Sequence, residues 1–449
     1  MRASSPKQAS VVVLNTCTVT TAADQDARAA IRRVHRQNPE ARIVVTGCYA
    51  QRAPDEIAAL PGVDLVVGNS HKHQLAEIAI CDPVSVETPR TAFVPLAGLT
   101  ENREPRTETS IFVSDIFAHT ELLAAPVFDA ANERTRPNLK VQDGCDNRCS
   151  FCVIPYVRGQ SRSLGMDRIV REVNTLIHAG YREVVISGIN LGRWGKDLGS
   201  TSGRVGTAAL GCPGERSSPA SLVDLVRAIL TETNLEKLRI SSVEPMDWTE
   251  DFIALVASSP RIAKHAHIPM QSGSDAVLRR MHRKYRPWHY REKVARIHAA
   301  MPTAAIGADV MVGFPGETNA EFEATMQMIE DLPFTYLHVF TYSPRPGTPA
   351  AEMKNQAPAH VARGRNRILR ELASEKKLAF MRSFVGKNLD AITLNVTGRD
   401  ADGDFTEALT DNYLKLRLRG SHEPNRWLTA TVQKVETGSL VGSALACGH

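Results

Sequence analysis

The sequence predicts an α/β protein in three parts: an N-terminal βα domain over residues 1–80, a partial barrel of six βα units over 136–384, and a small β-barrel over 385–449. Three observations predict it. From 11 to 80 the apolar runs VVVLNTC, RIVVTGC and DLVVG alternate with helical segments, the pattern of parallel strands covered on both faces. The rhythm returns on a longer scale in NLKVQD, EVVISGI, KLRISS, HAHIPM, AIGADVMVGF and YLHVFTYS, and six such units suffice for an incomplete barrel whose loops share one face. From about 385 onward, short strands separated by turn signals such as DADGD and GSHEPN replace the helices.

In chain order, Cys17 and Cys48 fall at the C-terminal ends of the first two apolar strands, where isolated cysteines are ordinarily buried structural thiols. Residues 81–135 show no sustained period and read as a linker with an irregular strand or two. NLKVQD then runs straight into GCDNRCSFC, and DRIVREVNTLIHAG after it has helical spacing, so Cys145, Cys149 and Cys152 lie on a loop at a strand C-terminus. Their C-x3-C-x2-C spacing offers three thiolates. A [4Fe–4S] cluster held by three cysteines keeps one iron open for a substrate or cofactor. The alternative is structural zinc, which normally shows paired half-sites and four ligands.

The Gly, Ser and Thr-rich stretch 198–220 interrupts the pattern as a surface insertion, with Cys212 incidental to it. Ser187, Gly188 and Asn190 end the second strand of the barrel, where small polar groups could receive a cofactor or a tight turn could require the glycine. Glu244 and Gln271 follow the third and fourth strands, where contacts to a nucleoside would be built or local backbone bonds made. Gly313 and Gly316 lie in VGFPGET, which could line a ligand or turn from strand to helix, with Thr318 and Glu321 as a capping box. Arg279, Arg280, His282, Arg283 and Lys284 form a cationic run suited to phosphates or to a solvated helix face. In LKLRLR, Leu414, Leu416 and Leu418 alternate with Lys415, Arg417 and Arg419, so a strand turns leucines inward and cations outward.

With 54 Lys and Arg against 49 Asp and Glu, the net charge of +5 permits a nucleic-acid partner without demanding one. Eight cysteines with three clustered fit metal binding in a reducing compartment better than a disulfide framework. No apolar run reaches membrane-spanning length and no signal-peptide core opens the chain, so no membrane partner and a cytoplasmic location are expected.

GCDNRCSFCVIPYVRGQSRS, SGINLG, HIPMQSGSDAVLRRMHRKY and DVMVGFPGET resemble the radical S-adenosylmethionine (SAM) methylthiotransferases. NTCTVT and TGCYAQ resemble their N-terminal, Rossmann-like cluster domain, and the last region resembles the small TRAM-like RNA-binding barrel that closes them. The match covers nearly the whole chain. SRS after the cysteine loop, RRMHRKY and TDNYLKL are closest to the branch acting on threonylcarbamoyladenosine at tRNA position 37.

The resemblance implies that Cys145, Cys149 and Cys152 hold a [4Fe–4S] cluster whose open iron binds S-adenosylmethionine by its amine and carboxylate. The radical so generated takes hydrogen from C2 of the adenine, a carbon that acid or base cannot readily activate. Sulfur comes from a second, auxiliary [4Fe–4S] cluster with three cysteines, of which Cys17 and Cys48 match two. The third precedes NTC in relatives and has no counterpart here, as though the first βα unit were lacking; Cys81 is a conceivable substitute.

The resemblance further implies SAM contacts from Ser187, Gly188 and Asn190, nucleoside contacts from Glu244, Gln271, Gly313 and Gly316, and tRNA contacts from Arg283, Lys284, Lys415 and Arg417. It implies an electron donor, and a monomer is expected. Two classes of function follow. One is an active tRNA methylthiotransferase, with the isopentenyladenosine and ribosomal-protein aspartate branches as neighbours. The other is an RNA-binding relic with one cluster that cannot complete sulfur insertion.

Overall fold

The structure, a computed structural model, describes residues 5–80, 109–119, 122, 135–198, 220–436 and 438–445. Cys81 and Cys212 lie outside the described residues, as do most of the expected linker and nearly all of the insertion. The chain forms two units, one of Met1–Thr120, Phe151–Gln160 and Ser343–Ala351, the other of Glu121–Ser150, Ser161–Tyr342 and Glu352–His449.

The first unit holds a parallel sheet in the order β1 (Val11–Thr16), β2 (Arg42–Gly47), β3 (Val63–Val67), β4 (Ser110–Phe112). Every residue of β2 is buried, which is why RIVVTG is an unbroken run rather than an alternating one. The helix Thr21–Gln37 starts where Thr20 accepts a hydrogen bond from the Ala23 amide, and its Ile31 and Val34 pack with Ile43, Val45 and Tyr49. β4 pairs with β3 through Leu65↔Ser110, so a strand from the irregular region extends this sheet beyond residue 80. Asp24 is buried as the hub of an ionic network, accepting from Thr18 at 2.6 Å and Arg52 at 3.0 Å and pairing with Arg345. Burial of that carboxylate is tolerable because it is fully paired.

The second unit holds six parallel strands: β5 (Asn138–Lys140), β6 (Glu183–Ser187), β7 (Lys237–Ile240), β8 (His265–His267), β9 (Ala305–Val312) and β10 (Tyr336–Thr341). They form sheets β5-β6-β7 and β8-β9-β10, bridged in parallel by Leu238↔Ile262 and Ser242↔His267. Sequential strands are thus spatial neighbours, as right-handed βα repetition requires. Helices Met166–His178, Leu222–Glu232, Glu250–Ser258, Pro287–Ala300 and Asn319–Asp331 cover one face and share one apolar core with the strands. The other face is concave, bounding a cavity of about 570 Å³.

Past the helix Ala359–Arg382, a closed barrel is built from β11 (Asn388–Asp400), β12 (Gly403–Thr410), β13 (Lys415–Arg419), β14 (Trp427–Glu436) and β15 (Ser439–Ala444), in the order β11-β12-β13-β15-β14. Leu414, Leu416 and Leu418 are buried in its core as their alternation predicts. The outward cations are partly engaged: Arg419 pairs with Asp400 at 2.7 Å, and Arg417 lies over the Phe405 ring. The barrel seats near the strand N-termini, where Arg239, ion-paired to buried Glu183, donates to the Asp411 carbonyl at 3.1 Å and Asn412 donates to that of Thr303 at 3.0 Å. The strand C-termini are left for the cysteine loop. No helix among the described residues is long and apolar enough to cross a membrane.

Candidate active site

Gln142, fully buried, fastens the cysteine loop to its neighbours. Its Nε2 donates to the carbonyls of Asp143 (3.0 Å) and Gly144 (2.9 Å) and to Ser161 Oγ (2.9 Å), while Oε1 accepts from the Asn190 amide (2.8 Å). A Cβ at Gly188 would stand 2.8 Å from that same Oε1, so the glycine is needed for close approach. The loops after β5 and β6 are therefore locked together. That lock places Asn190 Nδ2 3.7 Å from Cys145 Sγ, and the Asn147 amide lies 3.4 Å from the same sulfur. Burial raises the Cys145 thiol above its ordinary pKa, an effect these two donors oppose.

The far side of the loop rests on the turn after the helix Asp275–Arg280. Ser150 donates its amide to the Met281 carbonyl (3.1 Å) and its hydroxyl to that of Arg280 (2.7 Å), and His282 Nδ1 lies 3.3 Å from the Arg148 carbonyl. Arg283 turns inward, donating to Cys149 Sγ at 3.3 Å and pairing with Glu244. Burial opposes its charge, but Tyr285, Glu244 and Cys149 hold the guanidinium protonated, well above its ordinary range.

This corrects the expected role of Arg283 as a tRNA-phosphate contact: it is only 8% exposed, its charge already spent on a carboxylate and a sulfur. Arg279 and Arg280 are likewise paired, to Asp275 and Glu321. Lys284 stays exposed beside a shallow cleft lined by Cys149, Arg193, Glu244 and Asp247.

The other expected positions divide. Ser187 donates its hydroxyl to Asn138. Gln271 adopts φ 63°, a left-handed conformation unusual for its type, and its amide and carbonyl pair with the Asp309 carbonyl and Met311 amide of β9. Gly313 and Gly316 both have φ 73°, and Glu317 accepts from the Gly313 amide at 2.6 Å while paired to Arg365 at 2.7 Å. Thr318 and Glu321 form the capping box in full, so VGFPGET is at least a strand-to-helix turn.

In the first unit, Cys17 is exposed just past β1 and Cys48 is buried just past β2. Cys48 Sγ accepts from Arg158 Nε at 3.1 Å and Asn69 Nδ2 at 3.6 Å, and packs against Val153 and Val157. Sequence reasoning did not single out Gln142, Arg158 or Asn69. Only the polar residue two before GC and the RGQ after the loop stood near a motif, and nothing in spacing tied them to a sulfur.

Residues 139–329 match the Radical SAM superfamily, and residues 1–68 match a family described as Uncharacterized protein family UPF0004. The chain is 36% identical over 417 residues to threonylcarbamoyladenosine tRNA methylthiotransferase MtaB of Aquifex aeolicus, covering 92% of this chain and 89% of the relative. Against the protein of that name from Bacillus subtilis the identity is 34% over 416 residues, covering 92% and 83%. The tRNA-2-methylthio-N(6)-dimethylallyladenosine synthase of Acidothermus cellulolyticus is 33% identical over 403 residues, covering 89% and 73%.

The chain belongs to the radical SAM methylthiotransferase family. Among solved structures, the radical SAM methyltransferase TsrM of Kitasatospora setae superposes with a TM-score of 0.52 at 16% identity, covering 76% of this chain and 63% of that one, a likeness of fold. The donor set fits the [4Fe–4S] cluster and S-adenosylmethionine of radical SAM enzymes. Three thiols sit on one loop, none in a disulfide, with N–H donors aimed at two of the sulfurs and a cation beside one.

Proposed function

We propose that this methylthiotransferase adds a methylthio group to C2 of N6-threonylcarbamoyladenosine at tRNA position 37, beside the anticodon. Cys145, Cys149 and Cys152 hold the [4Fe–4S] cluster, and Cys17 and Cys48 are ligands of an auxiliary one. When bound, these clusters and S-adenosylmethionine supply the one-electron chemistry and the sulfur that an unactivated aromatic C–H bond requires.

The chain's own residues hold the frame. Gln142 and Gly188 fix the cysteine loop against the end of β6 and the loop after it, whose Ser187 and Asn190 receive S-adenosylmethionine. Arg283 sets a positive charge against Cys149, offsetting thiolate charge in a site of low dielectric, and Glu244 keeps that arginine in place. Gln271, Gly313 and Gly316 border the nucleoside. Lys284, Lys415 and Arg417 contact tRNA phosphates, the last two from a TRAM-like barrel over 385–449 that follows a cluster domain over 1–80, a linker over 81–135 and the six-unit partial barrel over 136–384. The enzyme works as a cytoplasmic monomer with a separate electron donor.

What supports this reading most is the three-thiol loop with its sulfur-directed donors, in a chain whose relatives named for this reaction match it over most of both lengths. The test is nucleoside mass spectrometry of tRNA from cells lacking the gene, with and without its restoration. Loss of methylthio-threonylcarbamoyladenosine, restored by the gene, is the expected result. An unchanged profile contradicts it, and loss of methylthio-dimethylallyladenosine instead moves the enzyme to the neighbouring branch.

A further inference from the structure

The concave face carries a polar cluster that the cysteine loop does not use. Asp309 on β9 stands opposite His338 on β10 in the strand register, and His267 on β8 pairs with Gly307, two residues before Asp309. Alternation turns all three side chains to the same face. Each offers one ligand atom, and the three atoms lie within 4.8 Å of one another. His267 Nε2 is 3.4 Å and His338 Nδ1 is 3.2 Å from Asp309 Oδ1.

We propose that His267, Asp309 and His338 bind one divalent transition-metal ion. An ion about 2.0–2.2 Å from nitrogen and oxygen donors separates neighbouring donors by roughly 3.0–3.5 Å, and both spacings to Asp309 fall in that range. Two imidazoles and one carboxylate are a borderline donor set, suited to zinc, iron(II), cobalt or nickel rather than to calcium or magnesium, which take oxygen.

A second observation points to a ligand. His267 is 8% exposed, yet its Nε2 makes no well-aimed hydrogen bond, its approach to Asp309 being an ion-pair contact at 3.4 Å. A buried ring nitrogen left so costs free energy unless something else satisfies it. The rings are also fixed before any ion arrives. Tyr336 stacks 5.9 Å from His267 with planes 18° apart and lies 5.4 Å from His338. Gly307 makes room for that tyrosine, for a Cβ there would fall 2.0 Å from the phenol ring.

Three protein ligands leave at least one position open. His338 is half exposed, and the cavity of about 570 Å³ beside the cluster is lined by Asn138, Ser241, Ser242, Asn395 and Tyr413. The open position therefore accepts water or an oxygen donor of a bound molecule. The inference stands whichever nucleoside the enzyme modifies.

The test loads the reconstituted, iron–sulfur-replete enzyme with zinc chloride, desalts it, and measures zinc and iron per chain by mass spectrometry alongside zinc X-ray absorption. The expected result is about one retained zinc with nitrogen and oxygen scatterers near about 2.0–2.1 Å. His338→Ala and Asp309→Asn should each cut retained zinc at least tenfold while iron per chain and thermal melting hold. No retained zinc, sulfur scatterers near about 2.3 Å, or zinc retention equal in folded variants overturns the proposal. Should a variant fail to fold, the scatterer identity in the unsubstituted enzyme still decides.

Discussion

The two groups of cysteines differ in how they are made. Cys145, Cys149 and Cys152 come from one short loop whose entry is pinned by the Gln142 amide and whose middle, at Arg148–Ser150, rests on the turn at Met281–Arg283. Cys17 and Cys48 come from two strand ends of a parallel sheet, one exposed and one buried, thirty-one positions apart in the chain. Both groups nevertheless put an arginine on a sulfur: Arg283 on Cys149 at 3.3 Å and Arg158 on Cys48 at 3.1 Å. A contiguous motif brings its own geometry, whereas a dispersed site depends on the sheet register that aligns β1 with β2 through Thr16↔Gly47.

The sharpest way to break this comparison is Cys149→Ala. It should reduce S-adenosylmethionine cleavage to background while the C-terminal barrel stays folded, and 5′-deoxyadenosine still formed at the original rate would refute the ligand assignment. Next comes the ion pair of Arg283 with Glu244. Arg283→Met leaves Glu244, whose side chain is 24% exposed, unpaired beside the cluster loop and should cost about 2–4 kcal/mol in denaturant unfolding, less than a fully buried charge would. Adding Glu244→Gln should recover a good part of that loss, and no recovery would mean that the pair is not what holds the loop.

Gly188→Ala tests the close approach to Gln142. Overpacking there should cost about 1–3 kcal/mol and loosen the cysteine loop, read as a lower thermal midpoint and reduced iron per chain after reconstitution. The smallest effect is expected at the surface. Lys415→Ala should lower the slope of log affinity for tRNA against log salt by about 1 without touching S-adenosylmethionine cleavage, and an unchanged slope would remove Lys415 from the tRNA surface.

Much of this was legible in the sequence. The strands β1, β2, β3, β6 and β9 are apolar runs, β5, β7, β8 and β10 are declared by their place between helical segments, and the LKLRLR alternation puts Leu414, Leu416 and Leu418 in the barrel core. The strand Ser110–Phe112 was not placed, because three residues carry no period and its role is fixed only by pairing with β3. Arg283 is hard to read from sequence for a related reason. A cationic run looks alike whether solvated or folded inward, and only its position opposite Glu244 and Cys149 distinguishes the two. The His267, Asp309, His338 cluster is spread over seventy-two positions and could not be assembled without the register of three strands.

If the two cysteine groups do separable work, one splitting S-adenosylmethionine and the other delivering sulfur, their products can be uncoupled. Cys48→Ala tests this by counting 5′-deoxyadenosine and methylthiolated nucleoside in the same reaction with tRNA. 5′-Deoxyadenosine should persist while the methylthio product disappears. Retention of both products, or loss of both in a protein that keeps its loop-bound cluster, would contradict that separation.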